Sequence, residues 1–170
     1  MGLDFPNLPY LIDGEYNLTE STAIQRYIIN KWGNKDLLGK NIKDTARIDS
    51  FLSVFLEVSD AVRGLFFNKD HATAKVALYE KYKTKLQELN TFVGQKDFAL
   101  GYLTLIDFNV AEFSNYFETV WPEECKAHPF LKKIRENFNN LPETTNYYKS
   151  DNAFKGRFYP ATAVLAVEKE

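Results

Sequence analysis

Apolar residues recur at helical spacing through most of the chain, and this pattern restricts the fold more than any other feature. The clearest case lies between Ile42 and Phe67, where large apolar residues fall at positions i, i+3, i+4 and i+7. This spacing predicts a long helix with one buried face. The residues that form the face are Ile48, Phe51, Leu52 and Phe55.

Further helices are predicted along the rest of the chain. The segment from Ala72 to Val93 repeats the apolar spacing with Val76, Tyr79, Leu86, Leu89 and Phe92. Thr104 begins another helix that runs to about Trp121 and stops at a proline, and Pro129 suits the first turn of the next. The series ends with a helix to about Phe138, a short helix after Pro142 and an irregular tail from Ser150.

The first twenty residues have a different pattern, which favours β-structure. Short apolar runs at Tyr10–Ile12 and Tyr16–Leu18 flank Asp13-Gly14, a dipeptide typical of tight hairpin turns. Ser21 is predicted to cap a helix that continues to Trp32 and ends at Gly33. The predicted fold class is therefore mainly α: a small α/β piece, made of a hairpin and a helix, followed by an all-helical bundle.

Composition excludes several classes of function. The chain has 170 residues and a net charge of −2 with both signs interspersed, so no basic stripe indicates nucleic-acid binding. No apolar run approaches the length of a membrane span. Cys125 is the only cysteine and follows two glutamates, which predicts an inert thiol in a reducing compartment. We expect an intracellular protein, cytoplasmic by default, and leave association with an organelle or a large complex open.

Three motifs, in this order and spacing, resemble those of cytosolic glutathione transferases, most closely the mu class. The motifs are Asn7–Gly14, Glu20–Ile24 and the pair Thr104 and Asp107. Residues 37–44 are closer to the alpha and sigma classes. The resemblance implies a partial thioredoxin-like glutathione-binding domain at residues 1–34 and an all-helical C-terminal domain at residues 41–170, with Gly33–Lys40 as the linker.

The first two motifs imply a glutathione site. In the family, a cis-proline corresponding to Pro9 follows a residue whose backbone N–H and C=O bind the cysteinyl part of glutathione, which would be Leu8. The resemblance also implies that Asn7 and Pro9, in the same motif, belong to the residues that bind glutathione. The acidic side chain of Glu20 would take the γ-glutamyl ammonium. Ser21 and the amides at the helix N-terminus would take the γ-glutamyl carboxylate.

The resemblance also implies roles for residues outside the first two motifs. Glu57 corresponds to a carboxylate that reaches glutathione from the neighbouring subunit, and Phe5 to an aromatic side chain that contacts the partner subunit. Phe67 stands on the hydrophobic-substrate side, where mu-class enzymes have a tyrosine, and it cannot donate a hydrogen bond. Thr104 and Asp107 correspond to a structural capping box.

The resemblance begins after the family segment that carries the catalytic Tyr, Ser or Cys. Since the first eight residues contain none of these types, we assign no catalytic residue and no metal ligand. The hairpin would also have an open edge, because its partner strand in the family belongs to that earlier segment. We therefore expect another protein chain to cover this edge, in a homodimer or a larger assembly.

Three functions follow as hypotheses. The first is a non-catalytic, glutathione transferase-like docking subunit of a larger assembly. The alternative is a mu-class-like transferase that conjugates glutathione to hydrophobic electrophiles, with this chain a truncated form. The third is a carrier of hydrophobic ligands. No cofactor is required in any of them, and glutathione is a candidate ligand. The carrier would use Phe66, Phe67, Phe154, Phe158 and Tyr159.

Overall fold

The structure, a computed structural model, describes residues 2–154 and residue 163. Six α-helices and two strands make up the regular structure of these residues, which confirms the mainly helical fold class. Two short 3-10 turns, missed by the sequence analysis, lie at Lys35–Leu38 and Glu124–Ala127. The elements are β1 (Tyr10–Asp13), β2 (Tyr16–Thr19), α1 (Ser21–Trp32), α2 (Ile42–Leu65), α3 (His71–Val93), α4 (Leu105–Val120), α5 (Pro129–Asn139) and α6 (Pro142–Lys149).

The chain divides into two compact units, residues 1–48 and 49–170. The domain limits expected from the sequence, 1–34 and 41–170, stay a prediction. Residues 155–162 and 164–170 of the expected second domain lie outside the described residues.

The first unit contains the predicted hairpin. Strands β1 and β2 pair antiparallel, with Tyr10 opposite Thr19 and Asp13 opposite Tyr16. Gly14 has a φ of +63°, a conformation that glycine adopts without steric cost, so it permits the two-residue turn. Residues 2–9 were also expected to be β, but they are irregular. The pairing register leaves them beyond the end of the ladder.

Aromatic side chains form the core of the second unit. Phe113, Phe117 and Trp121 recur every four residues along and just after α4, so they project from one face. Phe117 lies 5.7 Å from Phe113 and 5.0 Å from Trp121, measured between ring centroids. Phe55 of α2 contacts Phe113 edge-on at 5.1 Å. Helix α5 packs on α4 with three buried side chains: Phe130, Leu131 and Ile134.

The predicted helical faces hold in α2 and fail in part of α3. All four apolar residues predicted for the α2 face are at most 4% exposed. In α3, Val76 is 63% exposed, so its expected burial is wrong. The buried residues of α3 lie on one side of its second half. Val76 lies six residues before the first of them and on a different side of the helix. These buried residues are Tyr82, Leu86, Leu89 and Val93.

A buried carboxylate fixes the start of α4. Asp107 is fully buried, and its Oδ2 accepts hydrogen bonds from the Thr104 backbone N–H at 2.7 Å and the Thr104 hydroxyl at 3.0 Å. Its Oδ1 accepts from the Ala99 N–H at 2.8 Å. Burial raises the pKa of Asp107 to about 6, although these hydrogen bonds favour the ionised form. Thr104 and Asp107 thus form a capping box that also holds the preceding loop.

A second buried polar group lies between α3 and α5. His128 is 2% exposed, and its Nε2 lies 3.2 Å from the Tyr79 hydroxyl of α3. Among the described residues, nothing hydrogen-bonds its Nδ1. The ring packs edge-on against Phe117 at 5.9 Å. Desolvation in these surroundings lowers the pKa of His128.

None of the helices in the described part of the chain is long and apolar enough to cross a bilayer.

We expect Asp107→Ala to lower the free energy of unfolding of the second unit by at least about 2 kcal/mol, because buried N–H donors lose their acceptor. Thr104→Ala should cost about 1 kcal/mol, the typical value of a helix cap. Asp151→Ala, which removes an exposed aspartate, should change little. Urea unfolding followed by circular dichroism measures all three, and equal effects of Asp107→Ala and Asp151→Ala would contradict the capping role.

His128 should make stability depend on pH. Since its folded-state pKa is lowered from 6.5, the unfolded chain binds more protons below that value, and stability rises with pH there. The contribution of neutral His128 is fully present above pH 6.5 and is lost as pH falls toward the folded-state pKa. The free energy of unfolding of the natural chain should therefore fall more steeply on acidification than that of His128→Gln. The contribution of Asp107 is common to both proteins, and parallel pH profiles would contradict this account.

Candidate functional site

The loop before β1 is exposed and contains a cis-proline. The Leu8–Pro9 peptide bond is cis, in agreement with what the resemblance implies. Leu8 is 77% exposed, and both Asn7 and Pro9 are exposed as well. The loop around Leu8 therefore lies at the surface of the first unit.

The side-chain amide of Asn7 connects this loop to the start of α1. Its Oδ1 accepts a hydrogen bond from the Leu8 N–H at 2.9 Å, and its Nδ2 donates to Oε1 of Glu20 at 3.3 Å. Leu8 and Glu20 are twelve positions apart in the chain, yet one amide group contacts both. Two groups of the predicted glutathione site thus contact the same side chain.

Glu20 occupies the cap position of α1 in an unusual backbone conformation. Its φ is 71°, the only positive value at a non-glycine position among the described residues. Such conformations cost roughly 1–3 kcal/mol and cluster at ligand sites, where the surrounding structure holds them in place. The carboxylate is exposed at the positive end of the helix dipole. The conformation of Glu20 therefore suggests a functional constraint at this position.

Ser21 is the first residue of α1, which corrects the expectation that it would be the cap. The carbonyl of Glu20 accepts from the Ile24 N–H at 2.9 Å, and this first bond of the helix makes Glu20 the cap residue. Ser21 is exposed. The first amides of an α-helix have no partner within it, so the hydroxyl of Ser21 lies beside N–H groups suited to an anion.

An ionic cluster fastens the hairpin to α1. The Tyr27 hydroxyl donates to Oδ2 of Asp13 at 2.6 Å, and the ammonium of Lys31 pairs with the same oxygen. The contact with Lys31 has the largest effect on the pKa of the Asp13 carboxyl and lowers it, and the hydrogen bond from Tyr27 lowers it further. Lys31 also lies 4.6 Å above the Trp32 ring, and the Tyr27 ring is 5.1 Å from that of Tyr16. The cluster joins the turn of the hairpin to the last turns of the helix.

Neither this cluster nor the Asn7 bridge, which is the contact of the Asn7 amide with Leu8 and Glu20, was predicted from the sequence. Asp13 was expected only as a turn residue, and Asn7 only as a residue of the ligand-binding motif. Both contacts join residues thirteen or more positions apart, and neither periodicity nor turn chemistry carries a signal for them.

Glu57 and Phe67 belong to the second unit. Glu57 forms an ion pair with Lys85 of α3, which lowers the pKa of the Glu57 carboxyl. Phe67 lies just beyond the end of α2, not within the helix as expected, and is 52% exposed. In the first unit, Phe5 is 71% exposed in the irregular segment before β1. The implied roles of these residues stay predictions.

The aromatic residues considered for a hydrophobic carrier have different environments. Phe66 is fully buried, while Phe154 is 59% exposed. Phe158 and Tyr159 lie outside the described residues.

Cys125 is a free, buried cysteine. Burial raises the pKa of its thiol, and the negative charge of Glu118 raises it further. A raised pKa disfavours the nucleophilic thiolate and supports the expectation of an inert cysteine.

Comparison with known proteins identifies the family. Residues 3–30 match the family model of the glutathione S-transferase N-terminal domain, and residues 56–151 match the model of the C-terminal domain. Glutathione S-transferase Mu 1 of Macaca fascicularis is 31% identical over 96% of this chain and 74% of its own length. Glutathione S-transferase Mu 2 of Homo sapiens is 34% identical over 94% of this chain and 70% of its own length. The chain belongs to the glutathione S-transferase family.

Two structures of lower identity have the same fold. The glutathione S-transferase Blo t 8 superposes with a TM-score of 0.80 at 21% identity, over 97% of this chain and 78% of its own. A glutathione S-transferase from Methylobacterium radiotolerans, in complex with glutathione sulfonate, gives a TM-score of 0.66 at 20% identity. That comparison covers 82% of this chain and 71% of the other. The helical arrangement described above is thus a glutathione S-transferase fold.

Tyr27→Phe should loosen the hairpin from α1, because it removes the hydrogen bond to Asp13 and keeps the ring. We expect amide hydrogen exchange in β1 and β2 to become several-fold faster. Tyr10→Phe is the matched control, since it removes a hydroxyl from an exposed ring of the same hairpin. Exchange rates that change equally in the two variants would show that the Asp13 cluster does not hold the hairpin.

Proposed function

We propose that this chain binds glutathione at the loop before β1 and the start of α1, and that it serves glutathione transfer to hydrophobic electrophiles. The observation that carries the proposal is the contact of one Asn7 amide with both the Leu8 N–H and the Glu20 carboxylate. The groups suited to two adjacent parts of glutathione are therefore close enough to act on one molecule.

The chemistry of the site is complementary to the γ-glutamyl and cysteinyl parts of the tripeptide. The Glu20 carboxylate would attract the γ-glutamyl ammonium. Ser21 and the first amides of α1 would bind the γ-glutamyl carboxylate, since a helix N-terminus favours an anion. The backbone N–H and C=O of Leu8 would pair with the cysteinyl backbone. We assign binding of glutathione to these residues, and no residue to activation of its thiol.

Residues outside this cluster would contribute to the substrate and to assembly. Phe67 would pack against the hydrophobic electrophile, because its ring is exposed but cannot donate a hydrogen bond. Glu57 would contact glutathione bound to a neighbouring subunit. Phe5 would contact a partner chain in a homodimer or larger assembly. Exposed apolar side chains on the hairpin, Tyr10, Ile12 and Tyr16, support a partner at that surface.

The comparisons favour glutathione transfer over the non-catalytic docking role that the sequence analysis ranked first. The relatives that align over nearly all of this chain are named as transferases. A bound glutathione is therefore the more direct hypothesis to test.

Glu20→Ala should weaken glutathione binding roughly tenfold, the equivalent of about 1.4 kcal/mol, because the ammonium loses its counter-charge. Titration calorimetry with glutathione measures the effect. Glu15→Ala is the matched control: it removes the same charge from an exposed position in the hairpin turn and should leave the affinity unchanged. Conjugation of glutathione to chlorodinitrobenzene should exceed the uncatalysed rate for the natural chain and for Glu15→Ala, and decline for Glu20→Ala.

Two results would contradict the proposal. One is the absence of glutathione binding by the natural chain, which would return the docking role to first place. The other is an equal loss of affinity in Glu20→Ala and Glu15→Ala, which would indicate a nonspecific electrostatic effect in place of a defined site.

A further inference from the structure

The side chain of Asn7 occupies groups that the proposed site offers to glutathione. Its amide oxygen accepts from the Leu8 N–H at 2.9 Å, where the cysteinyl carbonyl of the ligand would bind. Its amide nitrogen donates to the Glu20 carboxylate at 3.3 Å, where the γ-glutamyl ammonium would bind. A primary amide thus imitates both the acceptor and the donor of the ligand.

We propose that Asn7 is an internal competitor of glutathione, whose side chain must leave the Leu8 N–H before the ligand can bind fully. The inference rests on the proposed function and adds a regulatory contact to the same site. The resemblance implies a contact between Asn7 and the ligand, whereas the geometry gives this side chain the place of the ligand.

Asn7 and glutathione compete for the Leu8 N–H and not for the Glu20 carboxylate, because the two groups can form different numbers of hydrogen bonds. A backbone N–H has one hydrogen to donate, and the Asn7 oxygen accepts it at the ordinary distance of 2.9 Å. A carboxylate has about four acceptor positions, so Glu20 can bind an ammonium while it still accepts from Asn7. The Glu20 contact is therefore compatible with bound glutathione, and the Leu8 contact is the one to be exchanged.

The expected effect is modest, because Asn7 is exposed and its release breaks one neutral hydrogen bond. The net stabilisation of such a bond corresponds to roughly a two- to tenfold change in an equilibrium constant. Removal of the amide should therefore tighten glutathione binding by this factor. A purely structural role of Asn7 predicts the opposite sign, since loss of a supporting contact weakens binding.

The test compares the natural chain with Asn7→Ala in two measurements. Hydrogen exchange of the Leu8 amide, followed by NMR, should become faster in Asn7→Ala, and calorimetry with glutathione should give a two- to tenfold lower Kd. Asn30→Ala is the matched control. It removes an exposed amide that bonds to the Arg26 carbonyl within α1, and it should change neither quantity.

Asn7→Asp separates the two contacts of the amide. Its carboxylate retains an acceptor for the Leu8 N–H but has no donor for Glu20, so it should not tighten binding. A natural chain that binds glutathione, together with equal or weaker binding by Asn7→Ala, would overturn the competitor role alone. Absence of binding by both proteins, even with faster Leu8 exchange in Asn7→Ala, would overturn the proposed function and the competitor role with it.

Discussion

The Asp13 carboxylate is the constraint on which the proposed site depends. It accepts from Tyr27 and pairs with Lys31, so the turn of the hairpin is fixed to the far end of α1. The near end of the same helix begins directly after β2, and the loop that precedes β1 lies beside it through the Asn7 bridge. The pairing of Tyr10 with Thr19 brings the Leu8 loop and Glu20 together at this near end, and the Asp13 contacts hold the other end of the hairpin on the helix.

The second unit relies on a different buried carboxylate. Asp107 combines a helix cap with a bond to the preceding loop, and α4 then supplies the aromatic line around which the unit packs. Since the carboxylate is fully buried, its hydrogen bonds are required to offset its desolvation. The chain therefore uses one partly exposed aspartate to hold the hairpin on α1 and one buried aspartate to fix the start of α4.

Local patterns predicted the helices, the hairpin and the capping box, because each depends on residues a few positions apart. Spacing of Phe51 and Phe55 was sufficient for the buried face of α2. It was not sufficient for Val76, whose exposure depends on which neighbours α3 meets. The contacts Asn7–Glu20 and Asp13–Tyr27 arise from the folded path of the chain. The positive φ of Glu20 likewise depends on how β2 meets α1, which no local pattern specifies.

The most direct test of the account is an NMR titration of the natural chain with glutathione. Binding at the proposed site should shift the backbone resonances of Leu8, Glu20 and Ser21 together, with a single apparent Kd, and leave that of Glu15, exposed in the hairpin turn, unchanged. Shifts confined to other residues, or no shifts at all, would contradict the account.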